Sequence, residues 1–150
     1  MGFLSILKRN RQEYAQIPEM QVQPDFEMKY KRLVEDISFL VEDLKEEFEK
    51  HAYYLALNRL LHAGGVESAE ILIDYHMGRV LELEYILKRL LRMLGQSPQT
   101  LEDIVKKQRE KALEDIQTSE NILELLKYVD EEVEKIRGKI KRVRENSQLG

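Results

Sequence analysis

The chain contains no cysteine and no tryptophan, and it has only 3 prolines and 7 glycines among its 150 residues. The absence of cysteine excludes disulfide bonds, thiolate nucleophiles, and zinc or iron–sulfur sites with cysteine ligands. It is compatible with the cytoplasm, where we expect the protein to act. Because proline and glycine punctuate secondary structure, their scarcity predicts few turns and therefore few, long elements.

Long apolar runs are also absent, since no stretch approaches the roughly 20 residues that span a bilayer. Charged residues make up 35% of the chain and hydrophobic residues 43%. Leu, Glu, Lys and Arg favour helices, so this mixture predicts an all-α fold, and the length suits a single domain. The net charge of −4 argues against nucleic-acid binding as the main function. A composition rich in Lys and Glu without cysteine is also typical of thermophile proteins.

The segment from Asp25 to about His62 carries apolar residues at steps of three and four. This spacing places them on one face of a helix. The positions are Phe26, Tyr30, Leu33, Ile37, Leu40, Leu44, Phe48, Ala52 and Leu55. At close to 55 Å, such a helix is longer than the other predicted helices. Part of its apolar stripe therefore lacks a partner within the chain, and we expect a homo- or hetero-oligomer, with contacts of the coiled-coil type.

A second periodic segment runs from about Glu67 to Leu94. Its apolar stripe is widened by Leu81, Ile86, Leu91 and Met93, so we expect this helix to be the most buried.

Gly64 and Gly65 lie between the two segments. They lack the glycine spacing of a phosphate-binding loop and follow no strand. The pair predicts a tight turn that makes the two helices an antiparallel hairpin; a functional hinge is the alternative.

The stretch "GQSPQT" predicts the next boundary, with Gly95 as a helix C-cap, Ser97 as an N-cap and Pro98 in the first turn. A polar helix follows to about Ile116. It either continues through "QTSEN" or breaks there, with Thr118 as the next N-cap. We therefore predict an antiparallel bundle of four to five helices with a long central hairpin: a short N-terminal helix and loop over 1–24, the bundle over 25–144, and a frayed tail over 145–150.

The residues that carry chemistry in helical bundles are missing. No Glu precedes a histidine by three positions, as di-iron bundle sites require. His51 and His62 are about three turns apart, roughly 16 Å along a helix, which is too far to share an ion. His76 falls on an apolar stripe, and we therefore predict that it is a core or interface histidine. We therefore expect no catalytic residue, no metal and no cofactor, and a protein that is not an enzyme.

Two segments are candidates for an interaction surface. The apolar N-terminus is either a short helix that docks on the body or an amphipathic segment that contacts a membrane surface. Its residues are Phe3, Leu4, Ile6 and Leu7. The basic end of the last helix contacts DNA, an acidic protein or anionic lipid, or else it complements the helix dipole. Its residues are Lys135, Arg137, Lys139, Lys141, Arg142 and Arg144.

The order of the helices resembles the A domain of GINS-family proteins, which assist the replicative helicase. Three stretches carry the resemblance: "PDFEMKYKRLVEDI", "GRVLELEYILKRLLRML" and "TSENILELLKYVDEEVEKI". The resemblance implies a non-catalytic scaffold in DNA replication whose partners are helicase accessory factors. GINS proteins commonly carry a small β domain as well, and no strand-like run is present here. The alternative is a helical structural protein, of viral or cell-division type, that binds a membrane or nucleic-acid surface.

Overall fold

The computed structural model describes residues 24–118, 120 and 122–149. These residues form four α-helices and no strand: α1, Pro24–Ala63; α2, Ala69–Met93; α3, Gln99–Thr118; and α4, Ile122–Leu149. The predicted all-α fold is confirmed. The predicted short helix before residue 24 lies outside the described residues.

The break between α3 and α4 settles the alternative that the sequence left open. Helix α3 ends at Thr118, whose hydroxyl donates to the carbonyl of Glu114 at 2.8 Å. Thr118 therefore belongs to the last turn of α3, and its prediction as an N-cap was wrong. Helix α4 extends to Leu149, through most of the segment that was predicted as a frayed tail.

The turn after α1 is closed by a left-handed glycine. Gly65 has a φ of 105°. Its N–H donates to the carbonyl of His62, and the N–H of Val66 donates to the carbonyl of Leu61, both at 3.0 Å. This bond pair is a Schellman motif, which glycine favours because it has no Cβ to clash. Helices α1 and α2 pack together after this turn, so the predicted antiparallel hairpin is confirmed.

The turn after α2 is also closed by a left-handed glycine. Gly95 has a φ of 68°, and the N–H of Gln96 donates to the carbonyl of Leu91 at 2.8 Å. The hydroxyl of Ser97 then accepts the N–H of Gln99 at 3.2 Å, which satisfies a donor at the start of α3. Both predicted caps are therefore present.

Where the sequence predicts one helical domain, the described residues divide into two compact units. The first unit contains the described residues up to 48 together with 81–103, and the second contains 49–80 with 104–149. The three boundaries between the units, at 48/49, 80/81 and 103/104, fall inside α1, α2 and α3. The second unit has a continuous core, whose buried members include Leu57, Leu61, Leu72, Val129 and Val133.

The first unit buries fewer large apolar side chains. Its buried residues are Val41, Phe48, Leu83, Leu87, Leu91 and Leu101. Of the residues that widen the stripe of α2, Leu91 is fully buried, whereas Leu81, Ile86 and Met93 are exposed. A single helix cannot bury residues on several sides unless partners surround it, and these three side chains are 37% to 59% exposed.

Candidate interaction surface

The six basic residues predicted near the end of α4 do not form one patch. Arg137, Lys141 and Arg144 are spaced by four and three, so they share one face of the helix. Lys135, Lys139 and Arg142 have the same spacing and share another face. Because Arg137 and Lys139 are two residues apart, the faces lie about 200° apart around the helix. The six side chains therefore form two groups rather than one patch.

Part of this positive charge is engaged within the chain. The ammonium of Lys135 lies 3.2 Å from a carboxylate oxygen of Glu132, and Arg137 lies 3.5 Å from Glu134. Lys135 and Glu132 are three residues apart, so they lie on adjacent turns of α4. The ammonium of Lys139 sits over the ring of Tyr75, 5.9 Å from its centroid. Lys141, Arg142 and Arg144 complete the two faces and are exposed.

Between the two basic faces, the apolar stripe of α4 emerges from the core. Ile136 is buried, whereas Ile140 is 43% exposed and Val143 is 64% exposed. An exposed apolar stripe with cations on both flanks is the pattern of a helix that lies on an anionic surface. The other half of the predicted surface, Phe3, Leu4, Ile6 and Leu7, lies outside the described residues.

A longer apolar stripe, partly exposed, lies on the first half of α1. From Phe26 to Leu44 the apolar positions alternate strictly between steps of four and three, which is a heptad pattern. Phe26, Leu33 and Leu40 hold one heptad position and are 45%, 47% and 47% exposed. The alternate position is half-buried and is held by Tyr30, Ile37 and Leu44. We call the three exposed residues the heptad seam.

Further exposed apolar residues occur elsewhere in the first unit. Met28 and Phe39 lie on α1 but off the heptad seam, because both are displaced from it by more than a quarter turn. On α2, the exposed phenol of Tyr85 accepts a hydrogen bond from Arg89 at 2.9 Å, and the guanidinium lies over the same ring. Lys88 pairs with Glu84 at 2.7 Å. The charge of Lys88 is therefore neutralised within the helix.

A buried polar cluster in the second unit was missed by the sequence argument. Nδ1 of His51 on α1 lies 2.9 Å from Nδ1 of His76 on α2. One ring donates and the other accepts, so the pair holds one proton between these atoms. His76 also stacks on Tyr54, with centroids 5.5 Å apart, and Tyr54 stacks on Tyr128 at 5.3 Å. His76 is buried as predicted, but its histidine partner was not anticipated.

The buried position of His76 explains its lowered pKa. Burial lowers the pKa of His76 to about 4, and the charges of His51 and Lys50 act in the same direction. A second proton would place two donors against each other between the Nδ1 atoms. Nε2 of His76 is buried without a hydrogen-bond partner. His76 is therefore neutral at pH 7, as part of the core.

Tyr53 and Asp115 form a second polar contact in the same unit. The hydroxyl of Tyr53 donates a short hydrogen bond to the carboxylate of Asp115, which joins α1 to α3. Burial, followed by this bond and the charge of Asp115, raises the pKa of Tyr53 above its usual value. The ammonium of Lys111 lies 5.2 Å from the centroid of the Tyr53 ring. These groups fix one helix on another.

The hairpin turn contained information that identifies the histidine pair. His51 and His76 lie at nearly equal sequence distances from Gly64 and Gly65, so an antiparallel hairpin brings them opposite each other. His51 and His62 both lie on α1, so the spacing between them carries no information about a partner of His51 on α2.

Within the described part of the chain, no group of three or more His, Cys, Asp or Glu side chains is placed to hold a metal ion. Among the same residues, each helix is too short or too polar to cross a membrane. No protein-family model, curated protein or solved structure matches this chain.

Proposed function

We propose that the protein is a non-catalytic assembly subunit that acts in the cytoplasm and forms an oligomer through the heptad seam on α1. One observation carries this proposal: Phe26, Leu33 and Leu40 repeat at heptad spacing and are nearly half exposed. A second copy of the same helix would bury these side chains by inserting each into a hole between four residues of its partner. Burial of apolar area at about 25 cal/mol per Å² is the main driving force for such association.

Sedimentation equilibrium over a range of protein concentrations tests the proposal. The wild-type chain should associate reversibly, and the double variant Leu33→Glu/Leu40→Glu should remain a monomer because it places two carboxylates in the seam. The matched control is Met28→Glu/Phe39→Glu, which makes the same change at exposed apolar positions on the other side of the helix. If the seam variant still associates, or if the control variant loses association instead, the interface does not lie at the heptad seam.

The sharper form of the proposal is a GINS-like scaffold of the replicative helicase. The resemblance of 24–37, 78–94 and 118–136 to GINS stretches supports it. Precipitation of the tagged chain from its own cells, followed by mass spectrometry, tests this form. Helicase subunits should be recovered both with the wild type and with the Met28→Glu/Phe39→Glu control. Recovery of other proteins without helicase subunits would reject the replication role while leaving assembly through the seam intact.

A second candidate function is binding to an anionic surface through α4. The exposure of Ile140 and Val143 between two basic faces favours it. Vesicle flotation with and without anionic lipid tests the membrane form, using Lys141→Glu/Arg144→Glu and a deletion of residues 2–11. Flotation that neither change reduces, or none at all, rejects membrane binding. A salt titration of DNA binding tests the other form, since contacts with phosphates weaken steeply with salt.

A further inference from the structure

The second unit contains a groove of about 300 Å³ that plays no part in the proposed assembly. Helices α1 and α3 supply most of its lining, and Val80 of α2 supplies the rest. Ala52, Ala56 and Val80 are buried at its base, whereas Arg59 and Arg109 are exposed at its rim. The groove is therefore an apolar depression with two guanidinium groups beside it.

Small side chains explain why the space exists. The stripe of α1 carries Phe48 and Leu55, but Ala52 and Ala56, one turn apart, offer only methyl groups to the neighbouring helix. On α3, Val105, Arg109 and Leu113 recur at steps of four, so an arginine occupies a place where the stripe would continue with an apolar residue. Neither helix fills the gap between them.

The two arginines differ from the basic residues that form ion pairs, because neither has an acidic residue three or four positions away along its helix. Lys45, Lys88, Lys135 and Arg137 each pair with a Glu three or four positions earlier. By contrast, no Asp or Glu stands three or four positions from Arg59 or Arg109 in either direction. Within the described residues, neither guanidinium makes an ion pair. Their charge is therefore available to an anion at the rim.

We propose that this groove binds a small amphiphilic carboxylate. The apolar body of the ligand lies against Ala52, Ala56 and Val80, and its carboxylate accepts hydrogen bonds from Arg59 and Arg109. A guanidinium presents a planar fork that matches a carboxylate, and such charge-assisted bonds are stronger than neutral ones. At about 30 Å³ per heavy atom, the groove accommodates about ten heavy atoms, which is the size of octanoate.

An NMR titration of the full chain with octanoate tests this site, with the methyl groups of Ala52 and Ala56 as reporters. Octanoate should bind saturably with a Kd on the order of 1 mM or tighter. Octanamide has the same size without the charge and should bind at least about tenfold more weakly. Equal affinities for the two ligands, or shifts that do not saturate at these methyls, would overturn the proposal.

Substitutions at exposed positions should leave the fold intact, so a change in octanoate affinity can be attributed to the lost charge. Arg59→Gln and Arg109→Gln should each weaken octanoate binding about tenfold. Lys107→Gln removes the same charge from an exposed position of α3 outside the groove lining and should leave binding unchanged. If the arginine variants bind as tightly as Lys107→Gln, the site is wrong. The seam variant Leu33→Glu/Leu40→Glu should retain full affinity, which separates this site from the assembly proposal.

Discussion

The two units distribute their apolar side chains differently. Among the described residues, the second unit buries a continuous cluster from α1, α2, α3 and α4, with Leu72 and Val129 fully inaccessible. The first unit exposes more large apolar side chains than it buries, including Phe26, Phe39 and Leu81. Both units are built from segments of long helices, so helix formation alone does not explain the difference.

The difference lies in which faces are covered. In the second unit, the hairpin of α1 and α2 receives α3 and α4, and the buried histidine pair and the Tyr53–Asp115 bond fix the packing. In the first unit, the heptad seam remains half exposed. The second unit thus has the larger buried core, whereas the first unit has the larger exposed apolar surface. Four predictions test this contrast, from the largest expected effect to the smallest.

The largest difference should be between equivalent leucine truncations in the two units. Leu72→Ala removes a fully buried side chain and should lower the free energy of unfolding by about 3 kcal/mol, through lost transfer energy and a cavity. Leu40→Ala, at 47% exposure, should cost less than about 1 kcal/mol at concentrations where the chain is monomeric. Urea denaturation followed by circular dichroism measures both values.

Protein concentration sharpens this comparison. If the seam is an interface, the cost of Leu40→Ala should increase as the concentration rises, because the assembled state is linked to folding. The cost of Leu72→Ala should change much less. Equal costs for the two variants in the monomer would mean that Leu40 is covered within its own chain.

The next effect is acid sensitivity of the second unit. His76 has a folded pKa of about 4, below the value of about 6.5 in an unfolded chain. Above pH 6.5 both states hold it neutral, and between pH 6.5 and 4 only the unfolded state binds the proton. Stability should therefore fall with pH in this window, by about 2 kcal/mol once partial solvation is allowed for.

A variant isolates this contribution from the titration of carboxylates. His76→Phe retains a ring to stack on Tyr54 and should show a shallower loss of stability between pH 6.5 and 4 than the wild type. His62→Phe, at an exposed position, should follow the wild-type curve. Identical slopes for His76→Phe and the wild type would exclude the histidine pair as the cause.

The sequence predicted the elements well because local rules control them. The spacing from Phe26 to Leu55 predicted α1, and Gly65, Gly95 and Ser97 act at the predicted helix ends. Burial was predicted less well, since it depends on which face meets another helix. Leu81, Ile86 and Met93 fit an apolar pattern and are nevertheless exposed. Periodicity identifies a face, but the pairing of faces is a tertiary property.

The candidate surfaces show the same limit. The six basic residues were correctly placed on one helix, but their division into two faces follows only when the spacing is traced around that helix. The groove between Arg59 and Arg109 depends on α1 and α3 being neighbours, which no local pattern specifies. The His51–His76 pair was accessible in principle, through the symmetry of the hairpin.

A smaller effect is expected at the glycines of α2 and its preceding turn. Gly65→Ala should cost about 1 kcal/mol, because a side chain is strained at a φ of 105°. Gly78→Ala should instead stabilise the chain by about 0.5 to 1 kcal/mol, since it lies inside α2 and a Cβ there meets nothing within 4 Å. Thermal denaturation of the two variants should move in opposite directions. Movement in the same direction would refute the proposed role of Gly65 as the left-handed cap.

The smallest effect should come from the ion pairs of α4. Lys135→Gln and Arg137→Gln each remove an exposed pair with a Glu three residues earlier, and each should change the free energy of unfolding by about 0.3 kcal/mol. Even this difference should disappear at 1 M salt, where charges are screened within about 3 Å. Urea denaturation at low and high salt measures it. A cost above about 1 kcal/mol would assign these cations a role in holding the second unit together, and their charge would then no longer favour an anionic partner.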